Sequence, residues 1–173
     1  MAVEQSPASL VLTLEMDGEA FAELDALRRR YYPPQRNLVP AHVTLFYRLP
    51  EDRRREIRAL LAQVAAGEKP FDIGGVGVKA IERGVAILLH SPRLNQLRAG
   101  LAEEWWPWLT EPDRAGFQPH VTIQINVSEG EAHRTQKAVA AELRLSRIRA
   151  LGLHIWRYRD GRWEDERLFR FRR

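Results

Sequence analysis

Cysteine is absent from the 173 residues. That single absence excludes a disulfide framework, a cysteine-ligated zinc site and a thiol nucleophile, and it suits a cytoplasmic protein. No apolar run approaches the roughly 18 residues that a membrane-spanning helix needs, and the N-terminus lacks a signal-peptide pattern. A membrane partner is therefore not expected. Lysine is scarce, confined to Lys69, Lys79 and Lys137, so arginine carries most of the positive charge behind the net +4. That balance favours anionic partners such as phosphates or RNA, and it equally fits an arginine bias set by a GC-rich genome. The histidines are scattered without metal-ligand spacing, so neither a metal nor another cofactor is expected.

What is present has the make-up of an ordinary soluble globular protein, 45% hydrophobic and 29% charged. The length suits one domain spanning residues 1–173, or two small lobes sharing a core. Residues 1–9 read as a short disordered lead-in. Leu10 to Met16 is strand-like, and Asp17 is placed to cap a helix from Glu19 to Arg30 with Phe21, Leu24 and Leu27 at helical spacing. Tyr31-Tyr32-Pro33-Pro34 ends it, because proline cannot continue a helix. A second helix starts at Pro50 to Asp52, buries Ile57, Leu60, Leu61 and Val64, and stops at Gly67. Short strands follow at Phe71 to Ile73 and Val76 to Ile81.

The order then repeats. Val85 to Leu89 is a strand, Ser91-Pro92 opens a helix carrying Leu94, Leu97 and Leu101, and Trp105-Trp106-Pro107-Trp108 ends it. A polar loop leads on, Ser128 to Leu143 is helical, and Ile148 to Arg159 and Trp163 to Phe171 are strands joined by a turn at Asp160-Gly161. The halves, about 9–82 and 84–172, therefore match in order, with Tyr31-Tyr32-Pro33 echoed by Trp105-Trp106-Pro107. The aromatic pairs read as structural plugs closing each half rather than as a base-stacking platform.

The most specific repeat is a short motif in a β-branched run. Pro40-Ala41-His42-Val43-Thr44-Leu45 returns as Pro119-His120-Val121-Thr122-Ile123. A strand points residues i and i+2 to one face, so each copy sets an imidazole beside a hydroxyl. Strict alternation would put His42, Thr44, Phe46 and Arg48 on one face and Val43, Leu45, Tyr47 and Leu49 on the other. In the second copy it would put His120, Thr122, Gln124 and Asn126 opposite Val121, Ile123, Ile125 and Val127. Two related lobes packed about a pseudo-two-fold axis would bring both pairs to one cleft. Two imidazoles there suit acid–base chemistry near neutral pH, one taking a proton from the attacking oxygen and the other supplying one to the leaving oxygen. The threonine hydroxyls could hold the non-bridging oxygens of a phosphate between them. No metal is required, and the motif alone leaves open which histidine is acid and which is base.

At this point the chain resembles the 2H phosphoesterase superfamily, and within it the bacterial 2′-5′ RNA ligase or RNA 2′,3′-cyclic phosphodiesterase branch. The resemblance implies an α+β fold of two antiparallel-rich sheets with helices outside and the His42, Thr44, His120, Thr122 tetrad in a central cleft. It implies opening of a 2′,3′-cyclic phosphate on an RNA end or nucleotide to a 2′-phosphate, with reversible 2′-5′ ligation in some relatives. By similarity, His120 would be the base and His42 the acid. The family pattern often places a small residue and then arginine after the second motif, where this chain has Gln124 and Ile125. Arg48, Arg157 or Arg159 are the candidate substitutes for that arginine.

Phe46 is a candidate for stacking on a base, and Gln124 for bonding a ribose or base edge. His154 shares a strand face with Trp156 and Tyr158, lining the cleft or packing on the sheet. His90 reads as a turn residue and His133 as solvated. Besides the phosphodiesterase, the sequence admits a non-catalytic RNA- or nucleotide-binding module, or an enzyme of a small-molecule cyclic phosphate. A monomer is expected, since two lobes complete the site.

Overall fold

The first strand of each half forms the centre of a sheet. In the computed structural model, which describes residues 8–172, β1 (Ser9–Met16) runs antiparallel between β2 (Val43–Pro50) and β7 (Ile148–Arg159). The far edge of β7 is shared by β3 (Phe71–Ile73) and β8 (Arg162–Arg170), giving five strands. In the second sheet, β5 (Gly84–His90) lies antiparallel between β4 (Gly75–Ile81) and β6 (His120–Gln124). Strands thus cross between the halves: β4 of the first half joins β5 and β6, and β7 and β8 of the second half join the sheet of β1 and β2. Neither sheet is built from one contiguous half. The expected lead-in falls outside the described residues up to position 7, whereas Ser9 already belongs to β1.

The helices form where periodicity and caps predict them. Asp17 accepts the Ala20 amide at the start of α1 (Gly18–Tyr31), Ser91 caps α3 (Pro92–Trp105) and Ser128 caps α5 (Glu129–Glu142). α2 (Arg54–Gly67) follows a single 3₁₀ turn over Glu51–Arg53 and buries Ile57, Leu61 and Ala65. The loop after the tryptophans contains an unexpected one-turn helix, α4 (Glu111–Arg114), which buries Asp113. At the β7–β8 hairpin, Asp160 (φ 51°) and Gly161 (φ 79°) are both left-handed, as a two-residue type I′ turn demands.

Apolar residues of both sheets and of α1, α2, α3 and α5 form one continuous core. The aromatic plugs divide in role. Trp105 is buried edge-on against Phe46, while Trp106 is exposed and Tyr31 and Tyr32 are half-buried. Among the described residues no helix is long and apolar enough to cross a membrane.

Candidate active site

Helices of each half reach across to the motif strand of the other. α1 packs on β6, and β2 lies against β6. Arg28 of α1 donates from Nη1 to the carbonyl of Thr122 (2.9 Å) and from Nε to Asn37 Oδ1 (2.9 Å), and its guanidinium lies 3.8 Å from the Tyr32 ring centroid. Arg98 of α3 mirrors it, donating to the carbonyls of Leu45 (3.1 Å) and Asp113 (2.6 Å). The Asp113 carboxylate accepts the amides of Tyr47 and Arg48 at 2.9 and 3.0 Å. Each motif strand is therefore fixed by a buried arginine from the opposite half.

The two imidazoles are held alike. His42 Nδ1 lies 2.8 Å from the Pro40 carbonyl, and His120 Nδ1 lies 2.9 Å from the Gln118 carbonyl. A carbonyl oxygen only accepts, so Nδ1 carries the proton in both rings and Nε2 is left for chemistry. The Asp25 carboxylate takes the amide of Ala41 (3.0 Å), anchoring the residue before His42 to α1. His42 is pushed down to about 4, chiefly by burial, with the Arg28 and His120 charges adding to the effect against the opposing Pro40 hydrogen bond. It is a neutral proton acceptor at pH 7. That coupling also puts His42, Arg28 and His120 within electrostatic reach of one another.

Thr44 pairs with Thr13, which pairs in turn with His154, so the three share one face of the first sheet. In the second sheet His120 pairs with Leu88 and Thr122 with the small Ala86. A cavity of about 470 Å³ opens beside His42 on the first sheet, lined by Thr13, Glu15, Phe21, His154, Trp156 and Trp163 among others. His154 is thus a cavity residue. Its Nε2 lies 2.7 Å from Asp165 Oδ1 and its Nδ1 3.6 Å from Glu15, and its ring stacks on Trp156. Burial works to lower its pKa, but the two carboxylates, Glu15 nearby and Asp165 in hydrogen-bond contact, outweigh it and the net shift is upward.

Three other candidates lie elsewhere, and β-bulges are the reason for two of them. Leu12 pairs with Phe46 while Thr13 pairs with Thr44, so one extra residue sits on β2, and a second irregularity follows before Leu49. Phe46 turns into the core, fully buried under Arg98 and Trp105, and cannot stack on a base. Tyr47, expected on the apolar face, is 52% exposed. A bulge in β6, where Val85 pairs with Gln124 but Ala86 with Thr122, rotates Gln124 away from the histidine face. Gln124 is buried and donates to Thr135 on α5 (2.9 Å). Arg48 lines a separate depression with Trp108 and Thr110, away from His42. Of the other candidate arginines, Arg157 pairs with Glu51, and Arg159 lies exposed opposite Arg162 beside the hairpin turn.

The residue the motif reading missed is Arg28. It falls on the same helical stripe as Ala20, Leu24 and Leu27, and that spacing was the available signal.

A model of the 2′-5′ RNA ligase superfamily matches residues 16–162. The chain belongs to this family, the 2H phosphoesterases. The family's fold is also seen in solved structures. E. coli LigT complexed with 3′-AMP is 15% identical, with a TM-score of 0.64 over 97% of this chain and all (100%) of that one. A structure described as a phosphoesterase is 17% identical, with a TM-score of 0.63 over 96% of this chain and 100% of its own. The TT0787 protein of Thermus thermophilus is 19% identical, with a TM-score of 0.62 over 95% of this chain and 98% of that one. No curated protein matches the chain. The two-sheet α+β architecture that the family resemblance implied is therefore the one observed.

Proposed function

We propose that this family member opens 2′,3′-cyclic phosphates of nucleotides or RNA ends to 2′-phosphates. The observation that carries the reading is the matched pair His42 and His120, each with Nδ1 on a carbonyl two residues upstream and Nε2 left free. The phosphate sits between the rings, its non-bridging oxygens taking hydrogen bonds from the Thr44 and Thr122 hydroxyls. A water oxygen attacks phosphorus as one imidazole removes its proton. The bond from phosphorus to the 3′ oxygen breaks, and the other imidazole protonates that oxygen. Exchange with solvent restores both rings.

The electrostatics of His42 favour it as the base, because a ring held neutral with its one proton on Nδ1 presents an unprotonated Nε2 that accepts a proton at pH 7. His120 is then the acid, the reverse of the order implied by family resemblance. Arg28, cationic and close to both motifs, takes over the attraction for the phosphate charge that an arginine after the second motif would have supplied. The complex of E. coli LigT with 3′-AMP is consistent with a nucleotide as the ligand class.

The test is incubation with nucleoside 2′,3′-cyclic monophosphates in EDTA, separating 2′- from 3′-phosphate. The 2′-phosphate alone is expected. A 3′-phosphate product would reverse the bond assignment, and dependence on added metal would overturn the two-histidine reading.

A further inference from the structure

The acid–base pair makes no use of the cavity beside His42, yet that cavity has the build of a binding site. Its volume of about 470 Å³ lies within the range of roughly 300–1,000 Å³ that ligand sites occupy. Three rings form a continuous aromatic wall starting at the candidate catalytic residue. Trp163 lies 4.8 Å from His42 between centroids, and Trp156 lies 6.1 Å from Trp163. The Trp156 indole is locked by donating from Nε1 to Thr13 Oγ1 (2.9 Å). Phe21, 37% exposed on α1, faces the same cavity.

The polar groups are as informative as the rings. His154 is clamped between Asp165 (2.7 Å) and Glu15 (3.6 Å), and Arg170 also lines the cavity. The described lining sets the Glu15 carboxylate beside Arg170 and His154 rather than a cluster of arginines or lysines, so it is not built for a second phosphate. It offers instead flat faces for stacking and a Glu15 carboxylate, about a third exposed (34%), to accept from N–H or O–H groups.

We propose that this cavity binds the nucleoside portion of the substrate, with the base against Trp156 and Trp163 and the ribose toward His42. The inference rests on the phosphodiesterase reading for its substrate class, but its test does not depend on turnover.

Unphosphorylated adenosine and cytidine are titrated into the wild type, Trp163→Ala, Trp163→Phe and Glu15→Gln by calorimetry. In parallel, kcat/KM is compared for a nucleoside 2′,3′-cyclic monophosphate and for glycerol 1,2-cyclic phosphate, which lacks a base. The wild type is expected to bind nucleoside. Trp163→Ala should weaken that binding by about 5- to 100-fold, the range that corresponds to roughly 1–3 kcal/mol per stacked base. Trp163→Phe should recover most of it. The ratio of kcat/KM for nucleoside over glycerol substrate should fall in step. Nucleoside binding unchanged in Trp163→Ala and Glu15→Gln, or a wild type that binds no nucleoside and does not prefer the nucleoside substrate, would overturn the proposal. Turnover of neither cyclic phosphate, with nucleoside binding lost in the variants, would instead overturn the assigned reaction and leave the cavity assignment standing.

Discussion

Arg28 Nη1 donates to the carbonyl oxygen of Thr122 at 2.9 Å, joining the helix of the first half to the motif strand of the second. The same guanidinium helps keep His42 neutral. One buried side chain therefore positions one motif and tunes the other. Removing it should affect both. In Arg28→Gln, His42 should titrate at higher pH than in the wild type, followed by its ring resonances in NMR, and kcat should fall. Stability should drop by about 1–3 kcal/mol, the cost of leaving a buried carbonyl unpaired. An unshifted His42 would break the electrostatic link.

The assignment of His42 as base and His120 as acid is separable from the activity itself. A p-nitrophenyl phosphodiester has a leaving group that needs no proton. On such a substrate His120→Ala should regain much of its lost rate, while His42→Ala should not. The opposite pattern would restore the order implied by the resemblance. Initial rates on the two substrates decide it.

Stability should respond to pH through two histidines of opposite sign. His42 is lowered in the fold to about 4, so between roughly 6.5 and 4 the unfolded chain binds the extra proton. Acidification through that window should destabilise the protein, and His42→Gln should lessen the loss. His154 is raised by Glu15 and Asp165, so its contribution is complete below about 6.5 and lost as pH rises through its folded value. Denaturation midpoints for the wild type and Asp165→Asn between pH 5 and 9 should converge at the alkaline end.

Asp113 is a structural counterpart to the site. Its carboxylate holds the Tyr47 and Arg48 amides at the β2 irregularity, and it faces the buried Arg98 charge. Asp113→Ala should cost about 3 kcal/mol, because it leaves two amides and a buried cation without their anionic partner. Urea denaturation measures this directly. A change below about 0.5 kcal/mol, the scale of a neutral surface substitution, would contradict the role.

Local rules made most elements legible before the fold was known. Asp17, Ser91 and Ser128 are caps whose side-chain oxygens bond the amides expected of them, and the Asp160-Gly161 turn has its left-handed pair. The His42 and His120 motifs were legible because a strand's period of two needs no tertiary information. What failed was alternation beyond the motif. Phe46 and Gln124 change face at bulges, which leave no mark on composition. The exchange of β4 and β7 between sheets was equally hidden, since pairing partners are chosen by packing over long separations. Arg28 stands beside Arg29 and Arg30 in sequence; its place on the buried stripe of α1 sets it apart from them, and the docking of α1 on β6 gives that burial its purpose.

The central claim is that His42 and His120 act together on one phosphate. Its most direct test is single-turnover hydrolysis of a nucleoside 2′,3′-cyclic monophosphate by the wild type, His42→Ala and His120→Ala, each checked for folding by circular dichroism. Each variant should lose about 10²- to 10⁴-fold, the usual worth of one acid or base. The double variant should lose little more than either alone, since the two rings serve one step. Full activity in either folded single variant would contradict the account.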